Sequence, residues 1–233
     1  MLTSVASTGI MANTTAPASE QSAAFTYYSS MTFISNLYRN VIYPTVLCPR
    51  PLLILIIRIN LLRHQVATST LSAEEGQNRA AELVNQVWDF SAESWVRSDM
   101  PLQNLWVLAG QIFHSAVLLY CITSLHALIL LPQTPRIRSM KTRQHTRLCE
   151  LLPLGLSTPQ LRPSMCWPLV VAGMHANRHS TALRSFVTAE LGKMSCSTGI
   201  ALPLVAATVL KTYWSSGNNG WDHCFNQPYI FTW

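Results

Sequence analysis

The sequence contains little charge. Only 11% of its 233 residues are Asp, Glu, Lys or Arg, whereas about a quarter is usual in soluble domains, and 49% are hydrophobic. This composition excludes a disordered acidic tail and leaves a chain that is unusually buried, spans a membrane or lacks its partners. Acidic residues are scarcer than basic ones, since 16 Lys and Arg oppose 10 Asp and Glu. The formal charge of +6 favours contact with nucleic acid, an anionic membrane or acidic partners without choosing among them.

The cysteines lack the short spacings that mark zinc sites, and no Cys-x-x-Cys pair occurs. We therefore expect reduced, buried thiols at all six positions: Cys48, Cys121, Cys149, Cys166, Cys196 and Cys224. Residues Met1 to Gln21 also lack a basic residue and a continuous apolar block, which argues against a secretory signal or a transit peptide. Together these features predict an intracellular, reducing location.

Motifs for catalysis and ligand binding are missing too. The sequence has no Gly-x-Ser-x-Gly turn for a nucleophile and no glycine-rich loop ahead of a helix for phosphate. His175 and His179 have the spacing of two metal ligands on a helix, but Ala176 stands where the hydrolytic zinc motif has glutamate. The basic residues are not interleaved with aromatic ones, as a base-stacking surface requires. We predict no catalytic residues, no cofactor and no metal site, and no enzymatic activity.

What the sequence does contain is helical periodicity. Ser72 and Glu75 form a capping box that opens an apolar series at helical spacing: Ala80, Val84, Val87 and Trp88. Three more helices follow in the C-terminal third, and no sustained strand-like alternation occurs. Residues 1–24 are mostly Ser, Thr, Ala and Gly, too poor in large apolar groups to offset the entropy of ordering. We therefore predict an all-α fold, an irregular helical bundle over residues 25–233 that follows a disordered arm over residues 1–24.

The stretch from Met100 to Pro135 has no Asp, Glu, Lys or Arg, and residues 102–131 are numerous enough to cross a membrane as one helix. A small membrane-anchored protein with a single transmembrane helix is therefore the alternative function. Six polar residues, however, fall within one arc of about 140° on this helix: Gln103, Asn104, Gln111, His114, Ser115 and His126. Such a stripe suits a long helix inside a helical domain better than a helix that faces lipid, so a membrane is the less favoured partner.

Residues 133–147 carry a run of basic side chains: Arg136, Arg138, Lys141, Arg143 and Arg147. The run is predicted to be a solvated internal linker leading into a helix. A nuclear-import signal is the functional alternative, because such signals are clusters of this type.

The segment from Ser164 to Trp233 shows a characteristic order of aromatic residues. Trp-Pro-Leu-Val-Val-Ala-Gly ends at Gly173, Lys-Thr-Tyr-Trp ends at Trp214, and Gly-Trp-Asp-His-Cys-Phe ends at Phe225. This order resembles the C-terminal part of the fungal-specific transcription factor domain found in zinc-cluster regulators. The resemblance extends upstream through the uncharged helix and covers about residues 92–233.

The resemblance implies structural residues rather than catalytic ones: Trp167, Pro168, Gly173, Trp214, Trp221, Asp222 and Phe225. Gly173 should let a neighbouring helix approach closely, because it has no Cβ. Trp167 should fill the core where Pro168 perturbs the helix.

The resemblance also implies a regulatory domain of a transcriptional regulator in the nucleus, such as one for a secondary-metabolite or nutrient pathway. Zinc-cluster regulators typically carry six closely spaced cysteines ahead of this domain, and this sequence has no such cluster. Contact with DNA is therefore expected to be indirect or absent, through a DNA-binding transcription factor as partner. A homodimer is the other expected partnership, and the apolar run from Leu52 to Leu62 is expected to be exposed for it.

Overall fold

A computed structural model describes residues 2–22, 48–97, 100, 102–176 and 180–231. The described residues form ten α-helices and no strand, which confirms the all-α prediction. The helices are α1 (Leu2–Thr15), α2 (Arg50–Ala67), α3 (Ala73–Trp88), α4 (Ala92–Trp95), α5 (Gln103–Ala127), α6 (Pro135–Ser157), α7 (Cys166–Met174), α8 (Thr181–Thr198), α9 (Leu202–Ser216) and α10 (Trp221–Cys224). Two short 3₁₀ turns, Ala18–Glu20 and Arg162–Met165, follow helix α1 and precede helix α7, respectively.

The uncharged helix α5 forms the centre of the fold. Its 25 residues extend for about 37 Å, and every residue from Ile112 to Leu125 is buried. Helices α2, α3, α4, α6, α7 and α10 all contact it. By length and apolarity α5 could also cross a membrane, but 78% of its most apolar window is buried inside the protein. The protein's own helices therefore cover the surface that a lipid bilayer would have to contact.

Two of the six polar residues of the stripe on α5, His114 and Ser115, are buried in the core, whereas Gln103 and Asn104 are exposed and Gln111 and His126 are half-buried. Ser115 is fully buried and donates a hydrogen bond to Gln144 Oε1 of α6 at 2.8 Å. His114 is also buried, with its ring 5.7 Å from that of Phe90. A buried hydroxyl or amide is tolerated where a partner is supplied, and α6 supplies one.

The prediction of a disordered N-terminal arm is wrong for the part of it that the structure describes. Leu2–Thr15 is a helix, and its C-terminal half brings Ile10 and Met11 into the core. Composition predicted disorder because the segment has few large apolar groups of its own. The rest of the protein instead supplies the apolar surface around Ile10 and Met11 and hydrogen-bond partners for Thr14 and Thr15. The predicted boundary at residue 25 lies outside the described residues.

Two further predictions about surfaces are also wrong. The run from Leu52 to Leu62 is not an exposed dimerisation surface, because most of its apolar residues are buried in α2, which contacts α1, α3 and α5. The basic run is not a linker, because residues 135–147 lie within the continuous helix α6, capped by the Thr134 side chain. Met140, Gln144 and Leu148 recur every four residues among the basic ones and pack inward. The helical spacing of these three residues, rather than the charge of their neighbours, therefore indicates the structure of this segment. The nuclear-import interpretation stays a prediction.

The local helix signals were more reliable. Ser72 and Glu75 form the predicted capping box at the start of α3, and Gly199 ends α8 with a left-handed φ of 69°. No disulfide links the six cysteines, all of which lie among the described residues. The expectation that all of them are buried is wrong for Cys196, which is exposed, and for Cys149, which is half-buried.

His114 should make the stability of the fold depend on pH. Burial lowers its pKa from 6.5 to about 4, although a hydrogen bond to the Val87 backbone opposes the shift. Between these two pH values the unfolded chain binds a proton that the folded chain does not, so the free energy of unfolding decreases as the pH falls. We expect a loss of up to about 3 kcal/mol from pH 7 to pH 4, measured by urea unfolding.

The variant His114→Gln removes this titration and should reduce the loss by about 2–3 kcal/mol. Burial also lowers the pKa values of His145 and His175, so a pH dependence of the same sign should remain in the variant. An unchanged pH profile in the variant would contradict the assignment to His114.

Candidate functional site

Two groups of polar residues lie within this helical framework, and the first surrounds a buried arginine. Arg63 of α2 has no exposed surface, yet it carries a full positive charge. Its Nη2 donates to Asp222 Oδ1 at 2.7 Å, across 159 residues of sequence. We name Arg63, Asn60, Tyr120, Trp221 and Asp222 the Arg63 cluster.

The same guanidinium holds the C-terminal end of α1. It donates to the carbonyl oxygens of Asn13, Thr14 and Ala16, each at 3.3 Å. The last carbonyl groups of a helix have no partner within the helix and carry a partial negative charge. A buried cation with several N–H donors satisfies them at once, which explains why a segment of weak apolar character is ordered here.

Asn60 and Tyr120 extend this network. Tyr120 Oη accepts from Arg63 Nη1 at 3.2 Å and donates to Asn60 Oδ1, and Asn60 Nδ2 donates to the Ile10 carbonyl at 3.1 Å. Burial raises the pKa of Tyr120, although Arg63 opposes the shift, so the hydroxyl remains a proton donor. Each of these buried polar groups therefore has a partner.

Two tryptophans bind the same end of α1. Trp221 Nε1 donates to the Thr14 carbonyl at 2.6 Å, and Trp167 Nε1 donates to Thr14 Oγ1 at 3.2 Å. The ring of Tyr120 lies between them, 4.8 Å from Trp221 and 6.0 Å from Trp167 between centroids. The N-terminal helix, the central helix and the C-terminal segment are thus joined at one point.

The seven residues that the family resemblance implies as structural lie in two parts of the fold. Trp167, Trp221, Asp222 and Phe225 belong to the Arg63 cluster or pack against it, with Phe225 4.7 Å from Trp221 between ring centroids. Pro168 lies in the first turn of α7, where a missing N–H leaves no hydrogen bond unmade. The other two, Gly173 and Trp214, lie together at the far end of α7.

Gly173 is the point of close contact between α7, α8 and α9. A Cβ on this residue would lie 2.7 Å from Leu210 Cδ1 and 3.1 Å from Val187 Cγ1, so the predicted close approach is confirmed. Trp214 Nε1 donates to the Gly173 carbonyl at 2.9 Å. This hydrogen bond fixes α9 against the end of α7.

The second group of polar residues lines a pocket of about 830 Å³. Its walls come from α5, α6, the end of α7, α8, α9 and the segment from Gly217 to His223. Three residues with permanent or near-permanent positive charge line it: Arg138, Lys141 and Arg184. The one carboxylate in the described lining is Asp222, whose Oδ1 already accepts from Arg63.

Two histidines of the lining, His145 and His175, add little charge at neutral pH. The rings of His145 and His175 lie 5.7 Å apart, and burial lowers the pKa of both, helped for each by the nearby Lys141. His175 Nε2 is 3.2 Å from Thr123 Oγ1 on α5. Both imidazoles are therefore neutral groups that can donate or accept hydrogen bonds.

The described residues contain no group of three or more His, Cys, Asp or Glu that could hold a metal ion. His179, which was considered with His175 as a ligand pair, lies outside the described residues. Sequence reasoning did not find Arg63, Asn60 or Tyr120. The one available signal was a charged residue directly after an apolar helical run, and a sequence does not show whether such a charge is buried.

Comparisons with known proteins found one matching family model and a related regulator. A family model described as the fungal specific transcription factor domain matches residues 1–230. A relative in Leptosphaeria maculans, the phomenoic acid biosynthesis cluster-specific transcriptional regulator, is 33% identical over 226 residues. The match covers 96% of this chain but 43% of that relative, so the chain corresponds to less than half of the relative's length. No solved structure matches the chain significantly.

Replacing Arg63 by methionine should strongly destabilise the protein. The change leaves Asp222 without its cation and the end of α1 without its donors, which should lower the free energy of unfolding by about 3–5 kcal/mol. Arg58→Met on the same helix is the matched control, because Arg58 forms a partly exposed ion pair with Glu82 at 3.5 Å. The control should cost less than about 1 kcal/mol. Equal losses in the two variants, measured by urea unfolding, would show that the buried network does not stabilise the fold.

A pair of glycine substitutions tests the contact at α7. Gly173→Ala should lower the free energy of unfolding by about 1–3 kcal/mol, because the new methyl group overlaps Leu210 and Val187. Gly192→Ala is the control within α8, where an added Cβ has nothing within 4 Å. It should stabilise the protein by about 0.5–1 kcal/mol through the higher helix propensity of alanine. Stabilisation by both substitutions would mean that α7 does not need the close contact.

Proposed function

This chain belongs to the family of fungal specific transcription factor domains, and from that membership we propose that it is the regulatory part of a transcriptional regulator that acts in the nucleus. The observation that carries the proposal is the alignment of 96% of the chain with a pathway-specific transcriptional regulator. The proposed target is one group of biosynthetic genes for a secondary metabolite, because the relative is named for such a cluster.

We propose that this part of the protein regulates without contacting DNA itself. A DNA-reading surface needs basic side chains that reach the bases from a protruding helix or strand. The basic helix α6 instead packs one face on α5, and the exposed arginines on its other face are able to meet acidic partners or phosphate. The family's usual means of reading DNA is a zinc cluster, and in the described residues no such ligand set is present. The DNA contact is therefore assigned to a partner or to another part of the protein.

Membership in a transcription factor family supports a regulatory role for the chain rather than an enzymatic one. The membrane-anchor alternative has lost its basis, since the apolar surface of α5 is covered by the protein's own helices. We propose that the partner is a DNA-binding transcription factor or a second copy of this chain. The contact in the second case is not the apolar run of α2, which is buried.

Deletion of the gene in the organism that encodes it tests the proposal. We expect the transcripts of one contiguous group of biosynthetic genes to change together, while genes elsewhere keep their levels. Complementation with Arg58→Met should restore expression, and complementation with the destabilised Arg63→Met should not.

Two further measurements separate regulation from direct DNA contact. The tagged protein should be recovered on the promoters of that gene group by chromatin immunoprecipitation, whereas the purified chain alone should show no sequence preference in a mobility-shift assay. Location of the tagged protein outside the nucleus under every growth condition would overturn the proposal. Sequence-specific binding by the purified chain would overturn the assignment of DNA contact to a partner.

A further inference from the structure

The pocket between α5, α6, α8 and α9 has a charge pattern that the regulatory role by itself does not explain. We propose that it is a binding site for an amphipathic organic carboxylate, with the carboxylate held by the cations of the pocket and the apolar body held against its walls. The proposal rests on the structure of the pocket and does not depend on the proposed regulatory function.

The charges of the pocket are unbalanced. Arg138, Lys141 and Arg184 line it, and the one carboxylate in the described lining is Asp222. Asp222 Oδ1 lies 2.7 Å from Nη2 of the buried Arg63, so the arginine compensates the negative charge of Asp222 from the core side. His145 and His175 are neutral at pH 7 because burial and Lys141 lower their pKa values. The pocket therefore keeps a net positive charge that an anion would neutralise.

Lys141 is the best-placed residue to bind the anion. Burial lowers its pKa, and within the described residues no carboxylate opposes that shift. A half-buried ammonium group is costly when it lacks a counter-ion, and a bound carboxylate would remove this cost. Arg184 provides a second donor: its guanidinium lies 5.1 Å above the Trp214 ring and donates to the Ala176 carbonyl, while its buried Nε has no partner among the described residues.

The walls and the size favour an organic anion over an inorganic one. Ile122, Ile137, Met174 and Trp214 give the pocket an apolar side, which phosphate or sulfate would leave unused. A volume of about 830 Å³ lies in the range of pockets that enclose small organic ligands. The loop from Gly217 to Gly220 precedes α10, but Asp222 in the first turn of this four-residue helix would repel a nucleotide phosphate. The combination of cationic and apolar side chains in one lining fits a carboxylate with a hydrocarbon body.

Titration of the full chain with dodecanoate tests the proposal. Isothermal titration calorimetry and the intrinsic tryptophan fluorescence, to which Trp214 in the lining contributes, should show saturable binding at one site. Added salt should weaken the binding because the cations are partly solvated. Methyl dodecanoate has the same body without the charge and should bind at least about tenfold more weakly. Equal binding of the ester would overturn the assignment of the carboxylate to the cations, and no saturable binding of dodecanoate would overturn the site.

Substitutions locate the site on the protein. Lys141→Gln should weaken dodecanoate binding about tenfold to a hundredfold, because it removes a charge-assisted hydrogen bond and keeps a polar side chain. Arg138→Gln is a second variant at an exposed position of the lining, where folding is not at risk. Lys211→Gln, on an exposed part of α9 outside the lining, is the matched control and should bind as the unaltered chain does. Equal affinity in all three variants, with unchanged melting temperatures, would overturn the proposal.

Discussion

The fold depends on a single buried charge. Arg63 has no exposed surface, and removing an arginine from water is unfavourable unless its donors are satisfied within the protein. The two terminal nitrogens donate to Asp222, the hydroxyl of Tyr120 and three carbonyl groups at the end of α1, whereas Nε has no partner among the described residues. Because these partners come from both ends of the chain and from its centre, the requirement of one guanidinium fixes the relative positions of α1, α2, α5 and α10.

The same ion pair connects the core with the pocket. Asp222 contributes to the lining, but its carboxylate is bound to Arg63 from the core side. The positive charges of Lys141, Arg138 and Arg184 are therefore not neutralised by the one acid nearby. A residue that resemblance identified as structural thus has two effects: it holds the ends of the chain together and it determines the charge of the pocket. The carboxylate proposal depends on the second effect.

Local sequence signals predicted the helices well and their surroundings poorly. The capping box at Ser72, the end of α8 at Gly199 and the close contact at Gly173 follow from rules that operate within a few residues or from the family resemblance. The failures all concern contacts with distant parts of the chain. Residues 2–15 are helical although their composition predicts disorder, the apolar run of α2 is covered, and the basic run lies within helix α6. Of the candidate site, the tryptophans and Phe225 were found, whereas Arg63, Tyr120 and the pocket around Lys141 were not.

The sequence by itself determined the helical class, the uncharged central helix and the aromatic residues of the C-terminal segment. These follow from periodicity, capping and composition, which are properties of neighbouring residues. Only the tertiary structure decided which charges are buried, which apolar surfaces are covered and which cations share a pocket. Arg63 meets Asp222 across 159 residues, and the pocket takes its lining from several helices. The pKa and the partner of a charged group depend on what the fold places around it, and no local pattern contains that information.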